Sequence, residues 1–298
     1  MFFLYGARRV VAAMFLVSLA TPAAMACSTC KCGDYTITLL GAERPYENRL
    51  RLGLDALYRS ETEGSGVGER KTTEFRTLFG AAWSPNRTLT LAVQIPWVRK
   101  ELEDANLAQA DADGLGDIDL IARYVLLRND AGSGNHLAGA RLGLRLPTSQ
   151  EVEHNGELLD IDVQPDAGST VPNVGGWYSY FRFPWFVSAS LTYFSFGDAN
   201  QDFAPGDAVV ASVLTQYALD PVWALQGGLD ARWADSNRFS GVENPDSGGT
   251  LAMAFVGVAA RAFNELVISA GVQLPLIDDL NGEQQEDAVF RSSLAFDF

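Results

Sequence analysis

This chain of 298 residues has only three cysteines and two histidines, and Lys and Arg total 22 against 37 Asp and Glu, for a net charge of −15. That shortage of positive charge argues against a nucleic-acid partner, because such binding is driven by cations that neutralise phosphate. Beyond the N-terminus no apolar run reaches the roughly 18 residues that a membrane-spanning helix needs, so a helical membrane protein is excluded. The histidines, His136 and His154, fall in segments that read as turns or loops, on opposite sides of the alternating pattern described below. Neither offers a base within reach of a nucleophile on a rigid wall, and no enzyme is expected.

The cysteines all lie near the N-terminus. Met1 to Ala26 reads as a secretory signal, with Arg8 and Arg9 before the apolar stretch Val10 to Ala20 and small residues at Ala24 and Ala26. A Cys at the first mature position also raises lipidation, but Ala24 stands where a lipobox carries Leu, so simple cleavage is expected. Residues 27–47 form a short periplasmic segment that opens on Cys27, Cys30 and Cys32 as CxxCxC. Two readings stand for these thiols. One is a disulfide with one thiol left over, as suits an oxidising compartment. The other is a soft metal ion such as Cu(I) or Zn, or a docked periplasmic partner. Gly33 and Asp34 follow where a haem-attachment motif would need His. Residues 33–47 are long enough to plug the periplasmic end of a small barrel.

From Asn48 to Phe298 the chain is a train of alternating segments. Leu50, Leu52, Leu54 and Tyr58 share one parity, opposed by Arg51 and Asp55. Phe75, Phe79 and Trp83 oppose Glu74 and Arg76, and Leu120 and Tyr124 oppose Asp117, Asp119 and Arg123. Leu142 and Leu144 oppose Arg141 and Arg145, and Leu229 and Trp233 oppose Asp230 and Arg232. A strand turns alternate side chains to opposite faces, so each segment has one apolar and one polar face. About twelve such strands occur, each near the 9–11 residues that cross a membrane at a tilt. Short links alternate with long ones at 60–71, 100–115, 148–176, 197–207, 234–248 and 276–287. Outer-membrane barrels keep tight periplasmic turns and long external loops, which with an even strand number places both termini in the periplasm. An Arg facing lipid at mid-depth costs about 2–4 kcal/mol, so the strand arginines are expected inside. The predicted lumen therefore carries Arg51, Asp55, Glu74, Arg76, Asp117, Asp119, Arg123, Arg141, Arg145, Asp230, Arg232 and Arg291. Asp117 and Asp119 are expected to form a salt-bridge ladder with the arginines of adjacent strands. Loops 148–176 and 276–287 carry acids with no Lys or Arg, and read either as a solvated surface or as a cation-collecting funnel.

The last segment puts Phe290, Phe296 and Phe298 on one face, with Arg291 on the other. Bacterial outer-membrane barrels characteristically end on such a strand, where the terminal Phe serves the barrel-assembly machinery. The segment Gly114-Leu-Gly-Asp-Ile-Asp-Leu-Ile-Ala-Arg-Tyr124, followed by Gly143-Leu-Arg-Leu-Pro-Thr148, resembles the outer-membrane proteins of the phenol-degradation meta-pathway family. Ser149 stands where that family's second motif ends on Gly, and the CxxCxC start is not part of its pattern. Over roughly residues 48–298 the resemblance implies an all-β, transmembrane antiparallel barrel, distantly like fatty-acid and aromatic-hydrocarbon channels. The expectation is a monomeric or trimeric outer-membrane channel that passes a small solute. Its alternatives are a metal-handling or redox-partner-docking barrel and a structural anchor with a sealed lumen.

Overall fold

The computed structural model describes residues 47–130, 134–263 and 265–298. The signal segment, Cys27, Cys30, Cys32 and the proposed plug lie outside the described residues. Twelve long strands form the wall: β1 (Arg49–Glu63), β2 (Arg70–Ser84), β3 (Leu89–Asp104), β4 (Ile118–Asn129), β5 (Asn135–Leu146) and β6 (Val171–Arg182). They continue as β7 (Trp185–Phe194), β8 (Ala208–Ala218), β9 (Trp223–Ala234), β10 (Gly249–Arg261), β11 (Leu266–Leu280) and β12 (Val289–Asp297). Each is antiparallel to the next, and β12 returns to β1 with Arg51 opposite Asp297 and Tyr58 opposite Phe290. The sheet is therefore closed, and every strand of the wall has two neighbours, as a bilayer demands of backbone polar groups.

Burial follows the parity of the sequence, with the usual polarity of a globular protein reversed. Leu52, Phe79, Trp83, Leu144, Leu229 and Phe290 are exposed, while Arg51, Arg76, Gln94, Lys100, Arg141 and Arg145 are buried. Trp83, Tyr124 and Trp223 stand toward the end with the short turns, and Trp97 and Trp233 toward the other, the two levels at which aromatic girdles meet lipid headgroups. Strands β4 to β9 have 10–12 residues. At about 3.3 Å per residue that is about 40 Å of strand, or about 30 Å of depth once tilted.

Strands β1, β2, β3 and β11 are longer, at 15 or 16 residues, and rise above the rest at the long-loop end. Much of what the sequence presents as loop 100–115 is thus strand: β3 runs on to Asp104, and Gln109–Leu115 pairs back onto it. Part of loop 276–287 is strand as well, since Gln284–Glu286 pairs with the top of β1. The alternation there is hard to read because Val98, Lys100 and Leu102 point inward together. His136 is also a correction, since it lies on β5 and not in a turn.

The connection between β5 and β6 departs most from expectation. Asp162, Asp166 and their neighbours are not on a solvated surface. The stretch from Ile161 to Ser169 folds down inside the long-loop end, and all of it except Gly168 is buried. Val163 packs on Leu102 and Ala112, and Ile161 and Ala167 pack on Phe203. The β7–β8 and β9–β10 connections meet above it in a small sheet of Phe203–Ala204, Arg238–Phe239 and Val242–Glu243.

Candidate functional site: the polar interior

The interior has two unlike walls. Strands β1 to β5 bring charge. Arg76 Nε donates to Glu74 Oε1 at 2.6 Å, and its two terminal nitrogens reach the Asp166 carboxylate at 3.2 and 3.4 Å. Arg145 pairs with Asp119 at 2.9 Å across adjacent strands. Lys100, with no exposed surface, donates to the Asp162 carbonyl at 3.3 Å. Asp117 accepts the backbone N–H groups of Ser149 at 2.9 Å and Gly168 at 3.1 Å, while Asp117's own N–H donates to Asp166. The tucked segment is thus latched by ionic and backbone bonds to β2, β3 and the turn before β4. Buried, charge-assisted bonds of this kind are the strong ones, and breaking one leaves an uncompensated charge.

Two glycines shape the latch. A Cβ on Gly116 would stand 2.2 Å from an Asp166 carboxylate oxygen, so the second Gly of the GLGD stretch is what lets that carboxylate approach the wall. Gly168 has φ +69°, a turn that other residues adopt only with strain, and it sends the chain back toward β6. Within the tucked segment, burial pushes the Asp162 carboxyl up to about 7, with Asp160 adding to the rise and Lys100 and Arg70 opposing it.

Strands β6 to β9 bring small hydroxyls and amides: Ser179, Ser188, Ser190, Thr192, Ser212 and Gln226 are all buried on the inner parity. Ser179 and Ser188 hydrogen-bond at 3.2 Å, and Gln226 donates to Gln216 at 3.2 Å. Thr192 Oγ1 and Ser212 Oγ are buried with no protein partner, although their residues are 0% and 2% exposed.

The remaining sequence-predicted residues are distributed along the barrel. Arg51 holds Asp297 at 2.6 Å near the short-turn end, where Arg49 joins it. Asp55 lies in the field of Arg291 and stands opposite Ser293 of β12. Of the expected ladder, the Arg145–Asp119 pair spans adjacent strands. Arg123 stacks 4.2 Å over the Trp177 ring, and Arg141 donates to Asn173 at 2.8 Å. Asp230 accepts from Gln273. Arg232 lines a small cavity near Arg59, Glu61 and Glu286. Phe290, Phe296 and Phe298 are exposed on the apolar face, with Phe290 beside Tyr58.

Sequence reasoning missed Lys100, Asp162 and Asp166. A signal was present, since an acidic stretch without cations of its own follows strands that carry Arg70, Arg76 and Lys100. His136 binds the Tyr178 hydroxyl at 2.8 Å on the apolar parity, and His154 sits exposed in the loop strand Glu153–His154, so the histidines meet no interior nucleophile. Among the described residues no three His, Cys, Asp or Glu side chains come close enough to hold a metal ion.

A closed antiparallel barrel with an apolar outside, a charged inside and one end bearing the long loops is the architecture of outer-membrane barrels. An outer membrane channel from Pseudomonas putida F1 shares this fold with a TM-score of 0.70 at 16% identity, over 90% of this chain and 100% of that one. The Pseudomonas putida toluene transporter TodX matches at a TM-score of 0.41 and 12% identity, over 92% and 96% of the two chains. The CymD monoaromatic hydrocarbon channel matches at 0.43 and 12%, over 89% and 92%. No protein-family model and no curated sequence matches the chain. The architecture is the one that the resemblance of the GLGD and GLRLPT stretches implies.

Proposed function

We propose that the protein resides in the outer membrane and passes a small solute through its barrel, with the segment from Ile161 to Ser169 as the part that opens and closes the path. One observation carries this reading: the inner wall of β6 to β8 holds buried hydroxyls at Thr192 and Ser212 without protein partners. A permanent plug would be expected to satisfy or replace them, because an unpaired buried polar group costs about 1–3 kcal/mol. The tucked segment is held chiefly by buried ionic and backbone bonds, and its apolar contacts are made by Ile161, Val163 and Ala167. The functions of the inner residues follow from their walls. Arg76, Asp117 and Lys100 hold the closed state, while the hydroxyl wall lines the route. No covalent step is assigned to any of them.

A sealed structural barrel is the second reading, favoured by burial of inner residues from Ala82 and Ala224 near one end to Thr72 and Leu102 near the other. Planar-bilayer recording on the purified full chain separates the two. The channel reading expects discrete current steps, reduced several-fold when Ser212→Trp fills the hydroxyl wall. A protein silent under all voltages, or one whose current ignores Ser212→Trp, supports the seal.

A further inference from the structure

Above the upper aromatic girdle the wall has one loose edge. The strand Gln109–Leu115 pairs with β3 on one side and with no strand among the described residues on the other. Asp104 N–H donates to the Ala108 carbonyl and Gly116 N–H to the Pro96 carbonyl, both at 2.9 Å. Bonded and non-bonded pairs alternate along an antiparallel ladder, so these two bonds fix its phase. Ala110, Ala112 and Gly114 direct their N–H and C=O groups to Leu102, Lys100 and Val98. The N–H and C=O groups of Gln109, Asp111, Asp113 and Leu115 therefore point away from β3, and no group of the described residues receives them.

The edge is open because the neighbouring wall stops below it. Strand β5 ends at Leu146, opposite Ile118 of β4. Beyond Leu146 the chain is drawn inward. Ser149 N–H donates to Asp117, Val152 N–H donates to Gln164 at 2.7 Å, and Val152 packs on Leu102, Ala112 and Val163. Unpaired backbone groups are costly to keep dry, so this edge meets water. Leu115 stands opposite Trp97, at the level of the girdle, and Asp113, Asp111 and Gln109 climb beyond it opposite Arg99, Glu101 and Glu103. All four edge side chains are exposed, while Ala112 is buried on the inner face. The outer face of the edge is acidic. Asp111 stands opposite Glu101, Arg99 is bonded to Glu101 at 2.7 Å, and Asp111 and Asp113 form no ion pair with a described residue.

From this open edge and its unmatched acids we infer a docking site for an extended cationic peptide segment, which adds as a further strand outside the membrane. The segment runs antiparallel to Gln109–Leu115 and exchanges backbone bonds with Gln109, Asp111 and Asp113. That pairing sets its side chains directly opposite theirs on the outer face. Lys or Arg at alternate positions then meets Asp111 and Asp113, and the residues between them point to the inner face, beside Ala110 and Ala112. A second copy of this chain is disfavoured, because full antiparallel overlap of the edge with itself sets Asp111 opposite Asp113. The acids thus guard the edge against self-pairing and admit a strand of opposite charge. The inference goes beyond the channel reading and holds whether or not the barrel conducts.

The test uses the purified full chain in detergent micelles and fluorescence anisotropy of a labelled peptide as long as the edge strand, seven residues of alternating lysine and threonine. The lysine peptide should bind, and its counterpart with glutamate in place of lysine should not. Methylating the backbone nitrogens of the lysines removes the donors aimed at the edge and keeps every charge. It should weaken binding about tenfold or more, whereas methylating those of the threonines, which point away from the edge, should leave binding nearly unchanged. Asp111→Asn combined with Asp113→Asn should weaken binding about fivefold or more, with heat-modifiable gel migration unchanged. The proposal is overturned if the lysine peptide fails to bind, if the two methylated peptides or the acidic and basic peptides bind alike, or if the double variant binds like wild type. A chain that dimerises in micelles and loses the dimer with Asp111→Pro, which removes an edge N–H but no bond to β3, would assign the edge to a second copy instead.

Discussion

The two walls of the interior are made from the same strand geometry and differ in what their side chains demand. On β1 to β5 each buried charge needs a partner in place, and the segment from Ile161 to Ser169 supplies partners for Arg76 and Lys100. On β6 to β8 the hydroxyls are short, and Thr192 and Ser212 are left without protein partners. The first wall fixes a state, and the second tolerates exchange of what lies against it.

The largest expected effect comes from breaking the charged wall. Arg76→Leu strands Glu74 and Asp166 together in a buried site and should cost about 3–5 kcal/mol, read as a lower temperature for loss of the folded gel form. A cost below about 1 kcal/mol would mean that the charged wall is not what holds the loop. Next in size is the lipid face, which should not share the asymmetry. Leu144→Arg on β5 and Leu229→Arg on β9 are both exposed on the apolar parity, and each should lose about 2–4 kcal/mol and assemble poorly. A large difference between them would show that one wall is not in lipid.

A smaller effect is expected from pH. Burial places the Asp162 carboxyl at about 7, so the tucked state binds a proton that the released loop gives up. Its stabilising contribution is complete below the ordinary carboxylate value of 3.8 and is lost as pH rises through about 7. Proteolytic nicking of the connection between β5 and β6 should therefore increase between pH 5 and pH 8, and Asp162→Asn should flatten that rise. Increased nicking toward acid would reverse the sign and contradict the assignment. The smallest loss belongs to the hydroxyl wall, where Thr192→Val and Ser212→Ala each remove an unpaired buried hydroxyl and should leave stability unchanged or raise it, since no protein bond is lost.

The barrel was legible in the sequence because membrane strands must satisfy period two at every position. Leu50 against Arg51, or Leu144 against Arg145, assigns a face by itself. The interior was less legible, since parity says that Arg123 and Arg141 point inward but not that Trp177 and Asn173 receive them. Those contacts depend on register between strands distant in the chain. The tucked loop was hidden for another reason. Its acids are paired by Arg70 and Arg76, about 90 residues earlier, and Lys100 holds the Asp162 backbone carbonyl, so the local composition reads as a solvated acidic surface. Gly116 is instructive in the same way, because its lack of a side chain is explained only by the Asp166 carboxylate seated against it.

The central claim is that the Asp166 latch closes a polar path, and single-channel recording of Asp166→Asn beside the wild type tests it most directly. Neutralising Asp166 weakens its bonds to Arg76 and to the Asp117 N–H without changing side-chain volume. Asp166→Asn should open longer and more often at the same voltage, with the barrel still folded. Traces identical to wild type, or a folded variant that conducts less, would contradict it.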